Sequence, residues 1–267
     1  MDNRELSDAL DARKPRSAFA RLEALPVRVA RKWVLGALAV FVFAAALQQL
    51  FIYLFALALS VTDQSAAASK SGVGAWWATV GGSVGLWLGF AVGTAVVVKL
   101  TTSASVRQGL GLSFNARDLW GIPVGIVAQF ALSGLTSLLF DNNGSGATER
   151  WLKHLHGGSL VFITIGLCII VPLVEESLFR GLLGRGLFSL VHRDALPHRV
   201  LVGMVIVADG AIFSAAHGEP SAFVALALFG ALLQTFQLRT GRLGLSIATH
   251  SAFNAAAVLP FVLRGHL

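Results

Sequence analysis

The sequence predicts an all-α polytopic membrane protein, a bundle of about seven transmembrane helices with the N-terminus in the cytoplasm. Hydrophobic residues make up 55% of the 267-residue chain and charged residues only 13%, whereas a soluble domain has about 25% charged residues. Apolar runs of roughly 20 residues, long enough to cross a bilayer, recur along the chain. The runs are 33–60, 75–98, 120–140, 158–190, 198–217, 221–238 and 243–262. The fourth run is too long for a simple span, and an eighth short segment is left open.

The distribution of basic residues predicts the orientation of these spans. With the N-terminus inside, the cytoplasmic segments hold 17 Lys and Arg residues and the outer segments hold 4. Cytoplasmic loops of membrane proteins carry such an excess of Lys and Arg. Membrane orientation therefore explains the net charge of +7. We predict a multi-pass protein of the cell membrane with lipid around it and no nucleic-acid partner.

The chain divides into three predicted parts. Residues 1–32 form a polar cytoplasmic tail, which lacks the short basic and apolar regions of a secretory signal. Residues 33–100 hold two transmembrane helices, and their glycine-rich segment at 81–93 favours close helix packing. Residues 110–262 hold the remaining spans. Cys168 is the single cysteine, so no internal disulfide or CxxC metal pair is possible.

Ionisable residues are concentrated in the second half of the apolar sequence. Such residues cost at least a few kcal/mol inside a bilayer, so each is a candidate for function. They are Glu175, Glu176, Arg180, Asp209, His217 and His250. We therefore expect any chemistry to reside in 158–262.

The spacing of the charged residues suggests different roles for the two adjacent glutamates. Glu176 and Arg180 are four residues apart and share a helix face, so they can pair. Glu175 is turned about 100° away from Glu176 on a helix and has no local cation. We predict that the Glu176–Arg180 pair is structural and that Glu175 is the general base.

Two further pairs have the same four-residue spacing, Phe213 with His217 and His250 with Asn254. Counting along straight helices places Glu175 and His217 level within roughly 3 Å and His250 about 10 Å lower. His217, considered alone, also suits a helix-end histidine bound by backbone carbonyls.

Asp209 lies two turns before His217. It either orients a histidine or bonds to a neighbouring helix, and the sequence leaves both roles open.

Three signatures thus stand in order on successive spans. They are Glu175-Glu176-x-x-x-Arg180, Phe213-x-x-x-His217 and His250-x-x-x-Asn254. This pattern resembles the CPBP family of intramembrane proteases, also called the CAAX protease and bacteriocin-processing, or Abi, family. The resemblance covers roughly 110–262, which would then be the protease core. It implies a CAAX prenyl protease-like membrane endopeptidase that acts near the cytoplasmic face on a membrane-embedded or lipidated protein or peptide.

The resemblance also implies a role for each signature residue. Glu175 would activate water, while His217 and His250 would position that water or bind a metal. Asn254 would stabilise the oxyanion. Supporting roles would fall to Glu176, Arg180, Phe213 and Asp209.

The metal and the class of function stay open at the level of sequence. Glu175, His217 and His250 could hold Zn²⁺ with one position free for water, and many descriptions name the family a metalloprotease. The HExxH signature of common zinc proteases is absent, so a metal-free glutamate mechanism is equally compatible. A non-catalytic scaffold or bacteriocin-immunity protein is an alternative, followed by a proton-coupled transporter. Substrate, physiological role and oligomeric state are not encoded in these patterns.

Overall fold

The computed structural model describes residues 24–59, 76–140, 152, 155–191 and 198–264. Within these ranges the protein is all-helical and contains no strand. Seven of its helices are long and apolar enough to cross a membrane, which confirms the predicted fold class. The links 61–74 and 141–149 between predicted spans and most of the predicted tail lie outside the described ranges.

The helices follow the predicted spans closely. They are α1 Val27–Ala58, α2 Trp76–Thr101, a short α3 Val106–Leu110, α4 Gly121–Leu139, α5 Gly157–Val191, α6 His198–His217, α7 Phe223–Thr240 and α8 Gly244–Leu263. Helix α1 begins at Val27 rather than at residue 33, and the carbonyl of Pro26 accepts hydrogen bonds from the first turn. Hydropathy marks the hydrocarbon span, whereas a helix can continue past it through its own backbone hydrogen bonds.

The seven long helices run alternately up and down, which gives the bundle two distinct ends. At one end α1 begins, while α2 and α5 finish; the Leu25 N–H donates to Ser189 Oγ (3.0 Å) and Trp33 Nε1 donates to Thr101 Oγ1 (2.8 Å). We call this the basic end because most of the described Lys and Arg residues lie there. They are Arg28, Arg31, Lys32, Lys99, Arg107, Arg117, Arg185, Arg199, Arg239 and Arg242.

Helices α1 and α2 pack through glycines, as the sequence predicts. Gly85 and Gly89 face the backbone of Leu47 and Ala44, and a methyl group added to either glycine would collide with that backbone. Small residues allow two helices to approach closely in lipid, where dispersion rather than the hydrophobic effect drives association. Close packing at the glycine-rich segment therefore holds the first two spans together.

Helix α5 lies at the centre and continues for 35 residues. At 1.5 Å per residue it is about 50 Å long, which exceeds the hydrocarbon thickness. Two segments with π-type hydrogen bonding, Gly166–Ile170 and Ser177–Gly184, flank the α-helical turn Val171–Glu176. Such segments are rare and occur frequently at functional sites. The two glutamates are thus held between two irregular stretches of one helix.

Candidate active site

Glu176 is the centre of a buried hydrogen-bond network. Its side chain is fully buried, and Oε1 accepts from Arg180 Nη1 at 3.1 Å and from His250 Nδ1 at 2.9 Å. The Arg180 contact is the pair that the four-residue spacing predicts. The contact with His250 has no counterpart in the sequence patterns because the two residues lie 74 positions apart.

The hydrogen bond from His250 to Glu176 also selects the tautomer of the neutral imidazole. A carboxylate oxygen accepts, so Nδ1 must carry the proton, and Nε2 of the neutral ring is left with a lone pair. Nε2 lies 3.9 Å from Glu175 Oε2. His250 is therefore level with Glu175, not about 10 Å lower as straight-helix counting predicts.

The Glu175 side chain is largely shielded from solvent and has few hydrogen-bond partners, as expected of a reacting carboxylate. Its side chain is 16% exposed, and Oε2 receives no hydrogen bond from any described residue. A buried carboxylate oxygen without a donor is unfavourable, so this atom can accept a proton or bind a cation or water. This arrangement agrees with the predicted role of Glu175 as the base.

Arg180 is completely buried and joins three helices. Its Nε lies 3.4 Å from Asp209 Oδ2 on α6, and its Nη2 donates to Gly230 O on α7 at 3.2 Å. The guanidinium also lies 4.3 Å from the centre of the Phe213 ring, within the range of a cation–π interaction. Of the two roles left open for Asp209, bonding to a neighbouring helix is the one present.

The charges of this cluster do not balance. Glu176 and Asp209 both contact the Arg180 guanidinium, and a third carboxylate, that of Glu175, lies beside His250. Uncompensated charge inside a low-dielectric region is costly. This excess of carboxylates therefore favours positively charged groups beside it.

Phe213 brings the two histidines together. Its ring lies 4.5 Å from the His217 ring and 5.8 Å from the His250 ring. His217 Nδ1 lies 2.8 Å from the Phe213 carbonyl oxygen, so Nδ1 donates and Nε2 is left free. The helix-end interpretation of His217 is thus correct, and the same residue lies on the cavity wall described below.

Asn254 connects α8 to the first π-type segment of α5. Its Nδ2 donates to Leu167 O at 2.8 Å. An amide NH₂ group carries two donors, so a second N–H is available. The side chain also borders the cavity, a position compatible with the predicted oxyanion role.

A cavity of about 560 Å³ adjoins these residues. Glu175, His217, His250 and Asn254 all line it, so the structure brings together the four predicted catalytic residues. The opposite wall is formed partly by α4, which presents Gln129, Ser133, Thr136 and Ser137. The sequence analysis missed this row, although its spacing of three or four residues is a recognisable signal for one helix face.

The cavity extends from the middle of the bundle toward the end opposite the basic end. It includes His217 at the end of α6 and Ser137 near the end of α4.

The proposed zinc ligands have suitable chemistry, because imidazole nitrogens and a carboxylate bind Zn²⁺. Among the described residues, no group of three or more His, Cys, Asp or Glu side chains is arranged closely enough to hold a metal ion. Zn²⁺ at Glu175, His217 and His250 therefore stays a prediction.

Comparison with known proteins identifies the second half of the chain. A search of curated proteins and of solved structures found no significant match. A protein-family model described as type II CAAX prenyl endopeptidase Rce1-like matches residues 157–256. The matched segment contains all three signatures and, together with the helix bundle, supports an intramembrane protease. Residues 157–256 are thus similar to Rce1-like type II CAAX prenyl endopeptidases, which is consistent with the resemblance to the CPBP family.

Proposed function

We propose that this protein is an intramembrane endopeptidase of the CAAX-protease type in which Glu175 activates the attacking water. The observation that carries the proposal is the pair of acceptors, Glu175 Oε2 and His250 Nε2, that face each other at 3.9 Å beside the cavity. Each can accept a hydrogen bond from one water molecule. A general base must lie within reach of the proton that it removes, and Glu175 meets this condition.

In the proposed reaction the water oxygen attacks the carbonyl carbon of the scissile peptide bond while Glu175 takes one water proton. The carbonyl oxygen becomes an oxyanion, to which the second N–H of Asn254 can donate. Glu175 then returns the proton to the amide nitrogen, and the C–N bond breaks. The products are a carboxylic acid and an amine, which become a carboxylate and an ammonium group when the second water proton moves from the acid to the amine, and Glu175 regains its starting charge.

The buried groups behind Glu175 position the reacting groups without touching the substrate. Glu176 holds the His250 ring through Nδ1, and Arg180 holds Glu176. Asp209 and Gly230 O in turn hold Arg180. A geometry fixed before the substrate binds lowers the reorganisation that the reaction requires. Zn²⁺, if bound by Glu175, His217 and His250, would supply Lewis-acid polarisation of the water.

The test compares protein termini in membranes from cells that carry the wild type, Glu175→Gln, His250→Ala or no copy of the gene. His156→Ala is the matched control, because His156 is exposed and does not border the cavity. We expect a set of termini that is present with the wild type and His156→Ala and absent from the other three samples. If Glu175→Gln and His250→Ala leave every terminus of the wild type in place, the protein is not a protease and a scaffold role replaces it. Metal content measured on the purified wild type and on His217→Ala tests the zinc prediction separately.

A further inference from the structure

All the polar side chains of α4 line the cavity. They are Gln129, Ser133, Thr136 and Ser137. Large apolar side chains elsewhere on the helix, such as Phe130 and Leu138, are exposed and do not line the cavity. A polar group that faces hydrocarbon without a partner is unfavourable. The restriction of polar side chains to one face of α4 therefore indicates that this wall contacts a polar occupant.

Three of these residues follow each other at four-residue intervals, and we call Gln129, Ser133 and Ser137 the α4 row. Gln129 Nε2 donates to Ser133 Oγ at 3.0 Å, and Ser137 Oγ donates to the Ser133 carbonyl oxygen at 3.0 Å. After these bonds Gln129 keeps Oε1 and a second N–H, Ser133 keeps its O–H, and the Ser137 hydroxyl keeps its lone pairs. A peptide group likewise offers one N–H and one C=O. This mixture of donors and acceptors suits a peptide backbone better than an apolar chain or a single ion.

The spacing of the α4 row matches an extended peptide. Four residues of an α-helix rise about 6 Å. An extended chain presents backbone groups on the same edge at every second residue, which is about 6.4–6.8 Å. The row can therefore bind peptide groups at alternate positions of a segment of about four residues. A helical segment would have no use for the row, because its own backbone hydrogen bonds are already formed.

The row begins beside the reacting groups. Gly125, one turn before Gln129, packs so closely on Thr249 O and Phe253 N of α8 that an added methyl group would collide with them. Helices α4 and α8 are the third and the seventh spans and run in the same direction. Gln129 is therefore about level with Asn254, which lines the same cavity. A peptide that lies along the row thus passes the predicted oxyanion donor at its Gln129 end.

We propose that the α4 row binds the backbone of an extended substrate segment of about four residues and holds the scissile carbonyl group near Asn254. This inference rests on the proposed endopeptidase function and names its substrate class, a locally unfolded peptide segment. Recognition by the row reads the backbone and not the side chains. The row lies outside the segment 157–256 that resembles the Rce1-like proteins.

Peptide binding to the full chain tests the inference without a known substrate. Glu175→Gln is the parent protein, so that the probe is not cleaved. The probe is a dansyl-labelled, end-blocked peptide of alternating Ala and Leu, and its counterpart carries a methyl group on every backbone nitrogen. Each peptide is titrated against the parent and against the parent with Gln129→Leu and Ser133→Ala. Gln49→Leu in the same parent is the matched control, because Gln49 is exposed on a spanning helix and does not line the cavity.

We expect the Kd of the unmethylated peptide to rise about fivefold or more in the double variant, because hydrogen bonds to the backbone are lost. The Kd of the methylated peptide should stay within about twofold, and Gln49→Leu should change neither value. No binding to the parent, an unchanged Kd in the double variant, or an equal loss for both peptides would each overturn the inference. Unfolding midpoints check the fold, and if the double variant unfolds, Ser137→Ala repeats the comparison with an expected rise of about twofold.

The outcome is separable from that of the proposed function, because binding to Glu175→Gln does not depend on proteolysis. If binding depends on the row but no termini depend on Glu175, the endopeptidase alone fails. If the termini depend on Glu175 but the double variant changes neither Kd nor KM, this inference alone fails. Where both hold, the double variant should raise KM about fivefold or more for a substrate identified from the termini, with kcat within about threefold.

Discussion

The α1–α2 pair and the α5–α8 group are packed by different means. The buried residues of α1 and α2, which are described along their whole lengths, are uncharged. The α5–α8 group instead buries Glu176, Arg180, Asp209 and His250. The α5–α8 group thus buries two carboxylates, a guanidinium and an imidazole. Most of the buried residues of α1 and α2 are instead Ala or Gly.

This difference suggests that the α1–α2 pair contributes to stability, whereas the α5–α8 group contributes both to stability and to the reaction. Close backbone contact between α1 and α2 costs no desolvation of charge and leaves no reactive group. The charged network of α5–α8 is stable only while each group keeps its partner, because breaking a buried pair leaves an uncompensated charge. We therefore expect mutations in the first region to change stability alone and mutations in the second to change activity, stability or both.

The largest effect is expected for Glu175→Gln. Removal of a general base lowers rates by about 10²- to 10⁴-fold, and the fold should persist because Glu175 is not part of the Arg180 ion pairs. The rate of cleavage of a substrate identified from the termini comparison measures the first effect, and the unfolding midpoint in detergent measures the second. Retention of wild-type cleavage would remove Glu175 from the mechanism.

Arg180→Met should cause the largest loss of stability. It leaves Glu176 and Asp209 without their cation, and breaking a buried ion pair costs about 3–5 kcal/mol. The control is Arg199→Met, at an exposed position near the start of α6, where we expect a change within about 0.5 kcal/mol. Denaturant unfolding of both purified variants measures the free energies. Equal values for the two variants would show that the buried network does not stabilise the bundle.

Glu176→Gln should lower kcat by about 10- to 100-fold with KM little changed, by analogy with the removal of a carboxylate that orients a histidine. The glutamine keeps the shape of the side chain but not its charge, so His250 loses its strongest orienting partner. Steady-state kinetics separate kcat from KM. A rise in KM at constant kcat would instead place Glu176 in substrate binding.

Gly89→Ala should have the smallest effect on activity. Its methyl group meets the Ala44 backbone, and overpacking of this kind costs about 1–3 kcal/mol. The cleavage rate per folded molecule should stay at the wild-type value. Gly134→Ala is the control, because no atom lies within 4 Å of a methyl group there. A catalytic defect in folded Gly89→Ala would mean that the two regions are coupled.

Local patterns predicted much of the fold and the composition of the site. Hydropathy found the seven spans, because a helix in lipid must be apolar over the hydrocarbon thickness. Four-residue spacing found the Glu176–Arg180 pair, because it is a property of a single helix turn. The His250–Glu176 bond and the Arg180–Asp209 pair were not predicted, since each joins different helices.

The sequence by itself determined that this is a helical membrane protein, which residues are candidates for its chemistry and where its basic residues are concentrated. These follow from composition and from spacing within one helix. Only the tertiary structure decided that His250 lies beside Glu175, that Glu176 contacts His250, and that one cavity adjoins Glu175, His217, His250 and Asn254. The physical reason is that tilt, level and facing between helices depend on side-chain packing, which no single-helix pattern specifies.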